Sequence, residues 1–228
     1  FEDVFVSKLD TGETGSASLL YSSYLGGRYD EAADGITVDN SGNIYITGWT
    51  GSDDFPTANP YQATIKGYYD AFVSKFSPAG NSLLYSTLIG GYSGSPEGST
   101  GHGIAVNNND HAYVVGHTWS WDFPLVDPYS SDFSYFRDIF LIRIDTTLSG
   151  TASLIYSTHL GGNCDIEQLE DGYGIALDND GHIYIAGGTE CTGFPTLNGY
   201  QESLQGNVEA FIVKMGELPR VVTDSSSN

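Results

Sequence analysis

One short pattern occurs three times in this chain and leaves few folds open to it. The copies are Gly35-Ile-Thr-Val-Asp39-Asn-Ser-Gly-Asn43-Ile-Tyr-Ile-Thr-Gly48, Gly103-Ile-Ala-Val-Asn107-Asn-Asn-Asp-His111-Ala-Tyr-Val-Val-Gly116 and Gly174-Ile-Ala-Leu-Asp178-Asn-Asp-Gly-His182-Ile-Tyr-Ile-Ala-Gly187. Apolar residues alternate on both sides of a centre rich in Asp, Asn and Gly, which is the mark of a β-hairpin closed by a tight turn. The opening glycines, at 35, 103 and 174, stand 68 and then 71 positions apart. Self-similarity at such a period means that one supersecondary unit is stacked on copies of itself.

The rest of each period repeats as well. After each hairpin comes a loop ending in Phe-Pro, at Phe55-Pro56, Phe123-Pro124 and Phe194-Pro195. An acid then opens a third strand: Asp70-Ala-Phe-Val-Ser-Lys-Phe76, Asp138-Ile-Phe-Leu-Ile-Arg-Ile144 and Glu209-Ala-Phe-Ile-Val-Lys-Met215, with a further copy at Asp3-Val-Phe-Val-Ser-Lys-Leu9. A fourth strand reads Leu19-Leu-Tyr-Ser-Ser-Tyr-Leu-Gly-Gly27, Leu83-Leu-Tyr-Ser-Thr-Leu-Ile-Gly-Gly91 and Leu154-Ile-Tyr-Ser-Thr-His-Leu-Gly-Gly162. Apolar runs of this length between glycine turns suit strands covered on both faces. The fold class is therefore all-β, and four short antiparallel strands per repeat describe a propeller blade. A β-sandwich would not need three near-identical modules.

With the hairpin strands labelled a and b and the next two c and d, the chain reads cd-ab-cd-ab-cd-ab-c. Three tandem repeats (about 3–69, 70–137 and 138–208) and a final strand 209–215 fill residues 1–216, and 217–228 form a polar tail. Closed propellers use about four blades or more. The expectation is an incomplete ring with open strand edges, which are templates for pairing with another chain.

The run D-A-F-V-S-K, then L-L-Y-S-T-x-x-G-G, then G-I-x-V-D-x-x-G-N-I-Y-I-x-G resembles the SBBP family of β-propeller repeats, over nearly the whole chain from Asp3 to about Met215. The resemblance implies a large secreted or surface-attached protein of bacteria or archaea. It brings no catalytic motif.

Charge narrows the partners. Twenty-nine acidic residues against eight basic give a net charge of −21, which repels nucleic acid and attracts divalent cations. No apolar run approaches the roughly 18 residues of a membrane span. The chain opens in mid-repeat without a signal peptide, as a processed or excised segment would. No Asn-x-Ser/Thr sequon is present.

In a meandering blade the b–c and d–a loops emerge on one side, and there the acids gather. Calcium takes 6–8 oxygen ligands from flexible loops. The candidate ligands are Asp30, Asp34, Asp53 and Asp54 in the first repeat, with Asp165, Glu167 and Asp171 in the third. The competing reading makes these solvated loop acids, with the acids at the c-strand starts (Asp3, Asp70, Asp138, Glu209) bonding backbone N–H groups of the preceding loop. Asp39-Asn-Ser-Gly and Asp178-Asn-Asp-Gly look like the opening of a calcium-binding helix–loop–helix, but they lack its length and closing Glu and suit tight turns better. Cys164 and Cys191, the only cysteines, lie on same-side loops of the third repeat and are expected to form a disulfide, as an oxidising exterior permits.

Trp49, Trp119 and Trp121, beside the acidic loops, are a candidate sugar platform, with loop packing as the plainer role. The five histidines are scattered. No nucleophile elbow, zinc-protease helix or phosphate loop appears, so the chain does not read as an enzyme. Two functions remain. One is an extracellular structural protein whose incomplete blades join copies of the chain into a homo-oligomer, fibre or surface layer, with calcium bound. The other is a calcium-dependent module binding carbohydrate or another surface protein.

Overall fold

The computed structural model describes residues 2–92, 97–133, 136–162, 164 and 168–216. The expected tail lies outside them. The strands are β1 (Val4–Leu9), β2 (Leu19–Leu25), β3 (Glu31–Val38), β4 (Ile44–Thr50), β5 (Asp70–Phe76), β6 (Leu83–Ile89), β7 (Ser99–Val106), β8 (His111–Thr118), β9 (Asp138–Asp145), β10 (Leu154–Leu160), β11 (Glu170–Leu177), β12 (Ile183–Thr189) and β13 (Glu209–Met215). They form four antiparallel sheets: β1–β2, β3–β6, β7–β10 and β11–β13. These are a leading c–d pair, two full blades and a trailing a–b–c blade, in the order read from the repeat. The blades do not close into a ring.

The sheets stack face to face, and the c strands show how. Along β5, Phe72 and Phe76 pack with Val4, Val6 and Leu25 of the leading pair. The alternate residues Ala71 and Val73 pack instead with Ile104, Val114 and Phe140 of the next blade. Both faces are therefore covered, and all seven residues of β5 are buried. In the next interface Leu141 and Ile139 meet Ile183, Ile185 and Phe211 of the trailing blade. Period-two alternation thus serves two cores at once.

The recurring motif residues have matching jobs from blade to blade. Phe55, Phe123 and Phe194, from the three Phe-Pro loops, lie 5.0, 4.8 and 4.4 Å (ring centroids) from Phe72, Phe140 and Phe211 of the c strands. The Ser of the Tyr-Ser-Thr run donates to the carbonyl of the Phe-Pro proline, from Ser86 to Pro56 at 2.7 Å and from Ser157 to Pro124 at 2.6 Å. The following Thr accepts from the same loop, from Gln62 N–H at 3.0 Å on Thr87 and from Ser130 N–H at 2.9 Å on Thr158. The b–c loop is thereby laid along the outer d strand, covering what would otherwise be an unpaired edge.

The hairpin turns are built alike. Asp39 Oδ1 accepts from the N–H groups of Ser41 and Asn43, Asn107 Oδ1 from Asn109 and His111, and Asp178 Oδ1 from Asp180 and His182. This is the side-chain-closed turn that Asx residues favour. The ion-loop likeness is accounted for by turn chemistry.

Each a strand bulges at one place, where register shifts between Ala33 and Gly35, Gly101 and Gly103, and Gly172 and Gly174. The facing glycine of the b strand makes this possible. A Cβ on Gly48, Gly116 or Gly187 would lie 1.9–2.0 Å from the carbonyl oxygen of Ala32, Thr100 or Asp171. The extra residues are Asp34, His102 and Tyr173, and a bulge re-aims the side chain it carries.

Candidate functional site

The three a strands run side by side at the inner margin of the stack. Gly35 backs onto the carbonyl of His102 and Gly103 onto that of Tyr173, so that a Cβ at either glycine would come within 2.8 or 2.9 Å of that oxygen. The bulged residues consequently fall in line across successive blades. Asp34 Oδ2 lies 2.9 Å from His102 Nδ1, and the rings of His102 and Tyr173 are 5.7 Å apart.

Around His102 a polar cluster closes. His102 Nε2 is 3.0 Å from Nδ1 of His117 on β8. His117 Nδ1 is 2.9 Å from Asp171 Oδ1 on β11. The other carboxylate oxygen of Asp171 accepts from Arg137 Nη2 at 2.6 Å and from the Tyr173 hydroxyl at 3.1 Å. Arg137 itself lies under the Trp119 ring, 5.7 Å from its centroid. Burial pushes His117 below the usual imidazole range, against the pull of the Asp171 carboxylate. Burial alone would raise Asp171, but His117 and Arg137 outweigh it and hold the carboxyl below the usual range.

The candidate calcium ligands are more dispersed. Asp54 Oδ1 accepts the Arg28 N–H at 2.8 Å, Asp30 Oδ1 the Glu2 N–H at 2.9 Å, and Asp34 faces His102. Asp53 is exposed. Asp171 belongs to the histidine cluster, while Asp165 and Glu167 lie outside the described residues. Among the described residues, three clusters of His, Cys, Asp or Glu have ligand atoms within 4.8 Å of one another: His102–His117–Asp171, Cys164–Glu170–Cys191 and Asp178–Asp180–His182. Two of the c-strand acids, Asp70 and Glu209, bond the loop before them. Asp70 accepts from the N–H groups of Lys66 and Gly67, and Glu209 from those of Gln205 and Gly206.

The cysteines are joined, with Cα atoms 4.9 Å apart. They occupy the positions of Tyr29 and Ser52 in the first full blade, where the Tyr29 N–H donates to Ser52 Oγ at 2.7 Å. The trailing blade makes the same loop-to-loop link covalently. Next to it Glu170 is fully buried, its carboxylate accepting from Thr189 Oγ1 at 2.9 Å and from the Gly162 N–H. Glu31 has the matching place and bonds Thr50 at 2.8 Å.

Trp49 lies within β4 and packs edge-on against Tyr69 at 4.7 Å. Trp119 sits beside Phe136 at 6.2 Å. Trp121 is 67% exposed. The three are not equivalent positions of the repeat, because Trp49 aligns with His117.

The repetition of contacts, blade for blade, is what a propeller-repeat family requires. Residues 20–56 match the family model described as SBBP, beta-propeller repeat. That stretch is an SBBP-type repeat. It runs from the d strand of the leading pair through the first hairpin to the first Phe-Pro, and the later blades repeat its strand order and its Phe-Pro packing. No curated protein matches the chain. No helix among the described residues is long and apolar enough to cross a membrane.

Proposed function

We propose that this chain is an extracellular structural module whose SBBP-type blades continue their stacking from one copy of the chain to the next. The observation that carries the reading is the chemistry of the two end sheets. Inside the stack, each sheet offers Phe72- or Phe140-type side chains on one face and Val73- or Leu141-type side chains on the other, and the two kinds of face interlock. At the ends the same positions are bare. Phe5 is 69% exposed and its cross-strand neighbour Tyr24 is 79% exposed, at the far side of β1–β2. Ile212 is 82% exposed on the opposite end, on β13. Exposed apolar faces of this kind mark interaction surfaces. The two faces differ, so the contact is heterologous and yields a ring or an open fibre.

The disulfide suits an oxidising compartment, which supports the extracellular setting. Calcium belongs to the same reading through the excess of acids, 29 against 8 basic residues. Added calcium should raise the melting temperature and EGTA should reverse the gain. A melting curve that ignores both removes calcium from the proposal.

Light scattering of the full chain over a rising concentration series tests the assembly. Wild type should grow into oligomers, and Phe5→Asp or Ile212→Asp should each stop at monomers. Mixing the two variants should give dimers only, because each retains the face that the other has lost. A wild-type chain that stays monomeric at millimolar concentration overturns the proposal and points to further repeats of the same polypeptide as the natural neighbours.

A further inference from the structure

The histidine cluster has the construction of a metal centre. His102 Nδ1 faces the Asp34 carboxylate, which favours the ring proton there and turns the Nε2 lone pair toward His117 Nδ1, 3.0 Å away. Asp171 is nine-tenths buried. Its Oδ2 is engaged by Arg137 and Tyr173, while its buried Oδ1 has only His117 Nδ1 beside it, 2.9 Å off and poorly directed for a hydrogen bond. Three lone-pair atoms therefore converge with at most one proton to share among the neutral rings. Buried acceptors that must share one badly directed proton are rarely left standing in a structure. A cation at the centre of the three atoms would remove it.

We infer that His102 Nε2, His117 Nδ1 and Asp171 Oδ1 form a binding site for a zinc-class divalent cation, which fastens the inner strands of the second full blade and the trailing blade together. Two imidazoles and one carboxylate suit zinc, copper or nickel and not calcium, whose ligands are oxygens. Zinc holds His and Asp ligands at roughly 2.0–2.2 Å, so neighbouring ligand atoms of a tetrahedral site stand about 3.4 Å apart. The present spacings need only a small opening. The supporting shell is also in place. A metal-bound imidazole commonly gives its second N–H to a carboxylate, as His102 does to Asp34, and the Arg137 and Tyr173 bonds orient Asp171.

The repeat itself supplies a control. The equivalent positions one blade earlier are Asp34, Trp49 and Thr100, which cannot make such a set. A purely structural polar network of the propeller would recur in each blade, and this one stands at a single junction. The residues come from β7, β8 and β11 of one chain, so the site is independent of whether copies assemble.

The test is calorimetry of chelator-stripped full-length chain with Zn²⁺ alone, alongside Ca²⁺, and the visible spectrum of the Co²⁺ form. One zinc per chain with calcium failing to compete is expected, and cobalt should show the intense d–d bands of a tetrahedral nitrogen–oxygen site. His102→Ala and His117→Ala should abolish binding while circular dichroism stays that of the folded wild type. Asp34→Asn should weaken it by 10–100-fold, as loss of an outer-shell partner does. Absence of zinc binding overturns the inference. So does zinc binding that survives His102→Ala but is lost in His182→Ala, which would place the ion in the third hairpin turn.

Discussion

Burial sets the charge of two side chains in opposite senses. Glu170 is pushed up to about 7 by burial, with the nearby Asp138 carboxylate adding to the effect. Between 4.5 and about 7 the folded chain keeps a proton that the unfolded chain has lost, so stability falls as pH rises through that window. At 1.36 kcal/mol per pH unit the full effect is on the order of 3 kcal/mol. Glu170→Gln is therefore expected to stabilise the chain by about 1–3 kcal/mol at pH 8.5, with the gain vanishing near pH 4, as urea unfolding at both values would show. His159 works the other way. Burial lowers it to about 4, and its Nδ1 has no hydrogen-bond partner. The unfolded chain binds the extra proton between about 4 and 6.5, so stability falls on acidification through that range. His159 holds the place of Leu88 in the preceding blade, paired across from Phe140 as Leu88 is from Phe72. His159→Leu should accordingly gain on the order of 2 kcal/mol at pH 5 and less at pH 7.5. A gain independent of pH would mean that packing, not charge, separates the two residues. Such environments were out of reach of the sequence. The histidines at 102 and 117 read as scattered because a bulge and a neighbouring strand bring them together. Only a column-by-column alignment of the repeats, setting Asp34 against His102 and Tyr173, could have hinted at it.

At the level of the strand, the same sequence has different weights according to how many neighbours it meets. Phe72 is fully buried and Phe5, at the same place in its repeat, is mostly exposed. Phe72→Ala should cost about 3–5 kcal/mol, and Phe5→Ala in the dilute chain should stay within about 0.5 kcal/mol. Chemical denaturation of the two variants reads the contrast directly. Strand order, the hairpin turns and the covering of both c-strand faces were legible because each signal occurs three times or more and local propensity agrees with the pattern. The disulfide was legible from loop side alone. The bulges were not, since their cause is the close approach of Gly48, Gly116 and Gly187 to a partner backbone. Nothing in the local sequence around Asp34 or His102 announces that.

As a whole, the molecule is a row of blades in which each touches only those beside it, so its stability approximates a sum over units and interfaces. The Cys164–Cys191 link closes 27 positions at the trailing end. Replacing both cysteines by serine should cost roughly 3 kcal/mol in the chain-entropy picture, and thermal unfolding should show it as a lower, broader transition for the trailing blade. At the other end, β1 and β2 are held by one interface and no disulfide. A row of this kind comes apart by peeling, and the tie decides from which end. Amide exchange should run fastest along β1 and β2 and slowest along β5 and β9, with β12 and β13 between them. Reduction of the disulfide should then let the row fray from both ends.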